Sequence, residues 1–220
     1  MNFNYASSLR SAFPTLVSCC LRVDSVDQQT DISLPVADFN RRAVARLGGG
    51  TESDFAEIQA WRRAFGKMGL KPTQYRCAAE SLLRRLRKEG SLPTIFPLID
   101  LCNALSLAFA IPIAVFDRQK IGGDLQVRYA QGDEIYQTFS GTTENPTPGE
   151  VIFVDTTGYA HARRWTHRQS SYSAVCEQTT QVLIVAEAMH DTAATDIAAL
   201  STALTQQIRG IWPSSTVTPL

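Results

Sequence analysis

Apolar positions recur at helical spacing in four stretches of the chain. From about Thr73 to Glu89, Tyr75, Ala78, Ala79, Leu82, Leu83 and Leu86 repeat at i, i+3, i+4 and i+7, which predicts a helix with one buried face. Arg76, Glu80, Arg84 and Arg87 or Lys88 fall on its other face, Glu80 precedes Arg84 by one turn, and Gly90 stands where a C-terminal glycine belongs. An earlier helix is predicted over about Ser53 to Lys67. Ser53 is its N-cap, Asp54 and Glu57 lie in the first turn, and Phe55, Ile58, Trp61 or Arg62, and Phe65 form its apolar face. A third, from about Phe96 to Ala110, is apolar on nearly every side, so it is predicted to be buried, and Pro112 forbids its continuation. A fourth runs from about Ala193 to Arg209 with Ile197, Leu200 or Leu204, and Ile208 as its stripe, followed by a tail from Pro213 expected to fray.

Shorter apolar runs read as strands: Ile113 to Phe116, Leu125 to Tyr129, Ile135 to Phe139, Val151 to Val154, Ala160 to Trp165 and Val182 to Ala186. Gly122-Gly123 turns between the first two. Residues 10–50 read as strands and loops, with a break at Leu34-Pro35 and a joint at Gly48-Gly49-Gly50 that lacks the Gly-Lys-Ser/Thr ending of a phosphate loop. The apolar third helix carries Asp100, Asn103 and Ser106 at three-residue spacing. A buried polar group left unpaired costs about 1–3 kcal/mol, so these side chains either lock the core together or line a pocket.

At 220 residues and 44% apolar, the chain is expected to form one domain. Residues 1–50 would be a strand and loop segment packing on a 51–190 core, and 191–220 a C-terminal helix and tail. The formal net charge is zero, but nine basic residues fall between Arg62 and Lys88 with only Glu80 against them. One basic face suits a polyanion; the outer faces of soluble helices are often basic too. Five cysteines show no CxxC spacing, which argues against a metal site or a disulfide scaffold and for a reducing cytoplasm. The start MNFNYASSLR lacks the features of a signal peptide, and the longest apolar run, Leu107 to Phe116, falls short of the ~20 residues of a membrane span. No cofactor is implied. His161 and His167 have no third ligand type beside them, no G-x-S-x-G occurs, and His190 is read as a surface residue. The run Arg163-Arg164-Trp165-Thr166-His167-Arg168-Gln169 is denser. On a strand, Arg163, Trp165 and His167 would share one face, offering arginine for phosphate and tryptophan for stacking; the plain alternative is surface arginines around a structural tryptophan.

An ordered set of motifs extends this picture. Trp61-Arg62 leads to Glu80-Ser81-Leu82-Leu83-Arg84-Arg85 and Leu92-Pro93. Next come Ile99-Asp100-x-x-Asn103-x-x-Ser106-Leu107, Pro112, Asp117, Ile121-x-Gly123 and Val127-Arg128. Pro148-Gly149-Glu150-Val151, Asp155, Arg163-Arg164-Trp165 and Arg168 complete it. From about Phe55 to Ala188 the chain resembles the B3/B4-type tRNA-binding editing domain of the phenylalanyl-tRNA synthetase beta subunit, above all its free-standing relatives. The resemblance implies an α+β fold, sandwich-like β-sheet layers with packed helices. It also implies a pocket for the charged acceptor end of tRNA, where a wrongly attached amino acid, notably tyrosine, is removed by ester hydrolysis.

On that resemblance Asp100, Asn103 and Asp117 are the candidate pocket residues, with Gly122 and Gly123 permitting close approach. Arg163, Arg164, Trp165 and Arg168 would meet the RNA end, and Arg84, Arg85 and Lys88 the phosphates. The partner is expected to be tRNA or aminoacyl-tRNA, with no membrane involved. Two positions depart from the synthetase pattern. Ala114 stands where synthetase domains carry histidine, as it does in free-standing relatives that tend to a small residue there, and Gln169 stands where an acid is common. Two functions stay open: hydrolysis of mischarged aminoacyl-tRNA in trans, or non-catalytic binding of tRNA or of an amino-acid-like small molecule.

Overall fold

The computed structural model describes residues 1–220. One sheet carries, in spatial order, β1 (Phe3–Tyr5), β4 (Leu125–Tyr129), β7 (Val151–Asp155), β8 (Ala160–Arg163) and β9 (Arg168–Gln169). Only the β1–β4 pair is parallel. The second sheet is antiparallel in the order β11 (Thr216–Pro219), β2 (Val17–Asp24), β10 (Gln181–Ala188) and β3 (Ile113–Asp117). A small hairpin, β5 (Tyr136–Gln137) with β6 (Thr143–Glu144), stands apart from both sheets. Six helices complete the fold: α1 (Ser7–Ala12), α2 (Ser33–Leu47), α3 (Ala56–Lys67), α4 (Ala78–Glu89), α5 (Pro97–Phe109) and α6 (Ala193–Ile211).

β10 explains the layering. Its side chains alternate: Leu183 and Val185 pack with Val127, Phe153 and Ala162 of the first sheet, while Val182, Ile184 and Ala186 pack against α5 and α6. Both faces are covered, so the strand is apolar without interruption from Val182 to Ala186. The first core also takes in Ile58, Trp61 and Phe65 of α3 and Leu83 and Leu86 of α4. The second takes in Leu101 and Leu105 of α5, Leu200 and Leu204 of α6, and Phe39 of α2. The result is the α+β, sandwich-like arrangement expected.

Several local expectations change. Residues 10–50 contain a 15-residue helix, α2. Pro35 lies in its first turn, where the proline's missing N–H would have had no helical partner, so it does not break the helix. α4 begins at Ala78 rather than near Thr73, because Cys77 is extended and its sulfur accepts the Glu80 N–H at 3.5 Å. Thr51, not Ser53, leads the segment before α3, sharing reciprocal bonds with Asp54 in a capping box. Only Tyr136–Gln137 of the 135–139 run pairs as a strand. The tail does not fray: Thr216 to Pro219 pair with Asp24 to Leu21. His190 is 5% exposed, its Nε2 2.8 Å from Asp196.

Candidate functional site

The backbone after β8 does not continue as a strand. Arg164 and Trp165 both take positive φ, 48° and 59°. Non-glycine residues there cost of order 1–3 kcal/mol each unless the surroundings hold them. Here they do: the Trp165 N–H donates to the Val151 carbonyl at 2.7 Å and its indole Nε1–H donates to Glu187 at 2.8 Å. The chain therefore reverses, and the one-face grouping of Arg163, Trp165 and His167 predicted for a continuous strand is lost. The reversal brings residues 166–169 against the start of β3 and the N-terminus of α4, where the Ala78 N–H donates to the Thr166 carbonyl at 2.8 Å.

Between these segments lies a small cavity of about 60 Å³. Pro112, Ile113 and Ala114 form one wall, Phe153, Ala162 and Trp165 the inner end, and Thr166, His167, Arg168 and Gln169 the polar side. Gln169 donates its amide to the Val115 carbonyl at 2.7 Å, tying the polar side to β3. Thr166 keeps its hydroxyl buried without a protein partner. Arg168 is exposed at the rim, its guanidinium 3.8 Å from Glu144. The His167 ring packs edge-on against Tyr75 and Phe65, and its Nδ1 lies 2.8 Å from the Arg76 carbonyl. Burial lowers the His167 pKa, and the nearby Arg164, Arg168 and Arg76 charges lower it further against the Arg76 carbonyl bond.

The acidic and amide side chains of α5 lie elsewhere. Asp100 and Asn103 line a separate groove of about 60 Å³ with Asn40, Leu92, Pro93 and Thr94. Asp100 accepts the Ile95 N–H at 3.0 Å, and burial raises its pKa. Ser106 belongs to the core, donating to the Ile111 carbonyl at 2.6 Å. Asp117 is buried with both oxygens engaged, by the Gln119 N–H at 3.0 Å and the Thr179 hydroxyl at 2.8 Å. Gly122 donates its N–H to Asp155 at 2.7 Å, and a Cβ there would meet Thr157 at 2.5 Å. The close approach that Gly122 and Gly123 allow is to the protein's own Thr156–Thr157 turn.

The arginines divide between structure and surface. Arg163 is 5% exposed and forks onto Glu150 at 3.0 Å, with Glu144 at 2.5 Å. Arg164 sits 3.2 Å from Glu150 and over the Tyr75 ring. Trp165 is 0% exposed, so it has no free ring face for stacking and serves as cavity wall and core. On the helices, Glu80 takes Arg62 and Arg76, buried Glu52 takes Arg84 and Arg87, and Glu89 takes Arg85. Glu52 and Glu89 lie outside the basic stretch in sequence, so the fold cancels much of a charge that looked unopposed. Lys88 is exposed on α4.

Two buried networks escaped the sequence reading. His161 bridges the Ser173 hydroxyl at 2.7 Å and Asp155 at 3.1 Å. Ser173 and His161 are both 0% exposed, so this serine–histidine–aspartate chain has no route to a substrate and acts as a polar lock. Glu187 accepts from both Trp165 Nε1 and the Tyr5 hydroxyl at 2.8 Å, at the inner end of the cavity wall. Phe139 was read as a strand residue, but it sits in a turn, 73% exposed. Its hairpin is fastened by Ser171, whose hydroxyl donates to the Thr138 carbonyl at 2.8 Å. No group of three or more histidine, cysteine or acidic side chains is placed to hold a metal. No helix is long and apolar enough to cross a membrane.

Comparison with known proteins gives a consistent pattern. The profile of the B3/4 domain matches residues 60–218. The phenylalanine–tRNA ligase beta subunit of Bartonella henselae is 26% identical over 138 residues, 63% of this chain and 17% of that protein. That of Photorhabdus laumondii is 26% identical over 97 residues, 44% of this chain and 12% of that protein. The chain thus spans a small fraction of the length of these relatives. Among solved structures, an N-terminal fragment of the phenylalanyl-tRNA synthetase beta subunit from Pyrococcus horikoshii superimposes with a TM-score of 0.52 at 9% identity, over 98% of this chain and 50% of that one.

Proposed function

This chain belongs to the B3/4 domain family, and from that premise we propose that it binds the aminoacylated 3′ end of a tRNA and hydrolyses the ester. The curated relatives are named as phenylalanine–tRNA ligase beta subunits, which supports tRNA as the partner class. One observation carries the reading. Ala114 and Gln169, the two departures from the synthetase pattern, line the same cavity. Apolar side chains and a few polar groups line that cavity together, a combination that suits an aminoacyl group with its ribose at the mouth.

In this reading the apolar walls take the amino-acid side chain. Gln169 commits its amide nitrogen to Val115, leaving its carbonyl oxygen for the α-ammonium group or a ribose hydroxyl. Arg168 at the rim meets the terminal phosphate, and Phe139 offers an exposed ring to the terminal base. Lys88 follows the backbone further along, while Arg84 and Arg85 stay engaged by Glu52 and Glu89. Asp100, Asn103 and Asp117 are assigned no step in the acyl cavity. The ester is already activated, so orientation and electrostatic stabilisation supply much of the acceleration.

The alternative is binding without turnover, and the lack of any carboxylate lining the cavity favours it. A panel of charged tRNAs decides. Faster loss of at least one amino acid with protein than without, over multiple turnovers, supports the deacylase. Uncatalysed rates throughout, with tRNA bound, would leave the binder; neither rate nor binding would overturn both.

A further inference from the structure

We propose that Nε2 of His167 is the base that takes the proton from the attacking water, an inference that rests on the aminoacyl-ester reading above. The pattern of this chain removes the imidazole at position 114, and the reversal at Arg164–Trp165 brings another into the lining of the same cavity. The orientation is set by a neighbour that leaves no choice. The Arg76 carbonyl faces Nδ1 at 2.8 Å and can only accept, so Nδ1 carries the hydrogen. The ring's second nitrogen is then a bare lone pair, with no protein partner, on a residue that lines the cavity.

The charged and titratable groups around the ring keep it neutral. Arg76, Arg164 and Arg168 all oppose protonation, as does burial. Tyr75 contacts the ring edge-on, and the nearby acids are already paired with arginines: Glu80 with Arg76, Glu150 with Arg164, and Glu144 with Arg168. A neutral imidazole of fixed tautomer is available as a base at pH 7.

The step balances without another reactant. Water oxygen bonds to the ester carbon, the carbonyl π pair moves onto its oxygen, and Nε2 takes the water proton. Collapse of the tetrahedral intermediate breaks the bond to the ribose oxygen, which receives the proton back from Nε2. The products are the free amino acid and a tRNA with its terminal hydroxyl restored.

His167→Asn tests the assignment, because its amide can still donate to the Arg76 carbonyl while nothing replaces Nε2. With the aminoacyl-tRNA that the unchanged protein deacylates fastest, kcat/KM is expected to fall about 10²- to 10⁴-fold. The acid limb of the wild-type pH profile, with its midpoint below the usual histidine value, should vanish, while affinity for the tRNA stays the same. Activity within about threefold of wild type, or a retained acid limb, would overturn the proposal. Nitrogen NMR of the unchanged protein is a second test independent of the variant's folding: a hydrogen on Nε2 at pH 7 would also overturn it. If the unchanged protein deacylates nothing, the ester reading fails and this inference falls with it. Activity in the unchanged protein that survives His167→Asn sinks the His167 role alone.

Discussion

Glu187 shows how one residue ties the cavity wall to the core. Burial pushes its carboxyl up to about 7 from the ordinary value near 4.5, opposed by the bonds from Trp165 and Tyr5. The folded chain therefore keeps a proton that the unfolded chain releases at lower pH. Stability from this group is full below the unfolded value and is lost as pH rises through about 7. Glu187→Gln retains an acceptor oxygen for both donors and cannot ionise. Urea unfolding of variant and wild type between pH 5 and pH 8 should show the variant gaining a few kcal/mol relative to wild type. A difference that stays flat across that window would contradict the account. His161 makes a different case. His161→Phe fills the space but strips the Ser173 hydroxyl of its partner and leaves one oxygen of Asp155 with the Gly122 N–H alone, so a loss of about 1–3 kcal/mol is expected in the same measurement.

Among the elements, β11 carries a clear consequence. It pairs along the outer edge of β2, and Val217 packs into the second core. Truncation after Trp212 should lower the melting temperature and strip hydrogen-exchange protection from the β2 amides that face it; unchanged protection would show the strand to be dispensable. The strand was not legible in the sequence, because Thr216 to Pro219 is too short and polar to stand out and gains its structure from pairing with β2 and the packing of Val217. α5, β4, β10 and α6 were legible, since each buries enough apolar surface for its periodicity to show. α2 was hidden by Pro35, whose effect depends on its place in the helix. The cavity was half legible. Ala114 and Gln169 were identified as departures, but Arg164 and Trp165 adopt a backbone conformation their residue types disfavour. Nothing in the sequence marks that reversal, so the role of His167 was invisible, and of the three residues read as one pocket, Asp100 and Asn103 line a groove of their own.

At the scale of the whole molecule, charge pairing limits how the protein holds a polyanion. Glu52, Glu80 and Glu89 engage five of the arginines of α3, α4 and the segment between them. A few exposed cations, among them Lys88, Arg63 and Lys71, remain for phosphate. The slope of log affinity for tRNA against log salt should be about −2 to −3, not the roughly −7 that nine free cations would give. A slope near the larger figure would show that the ion pairs open on binding. The central claim is that the aminoacyl end enters the cavity between β3 and the 166–169 segment. Chemical-shift mapping with a non-hydrolysable 3′-aminoacylamino-adenosine tests it most directly. The account predicts shifts concentrated at Ala114, Thr166, His167 and Gln169; shifts confined to Asp100, Asn103 and Thr94 would place the ligand in the α5 groove and contradict it.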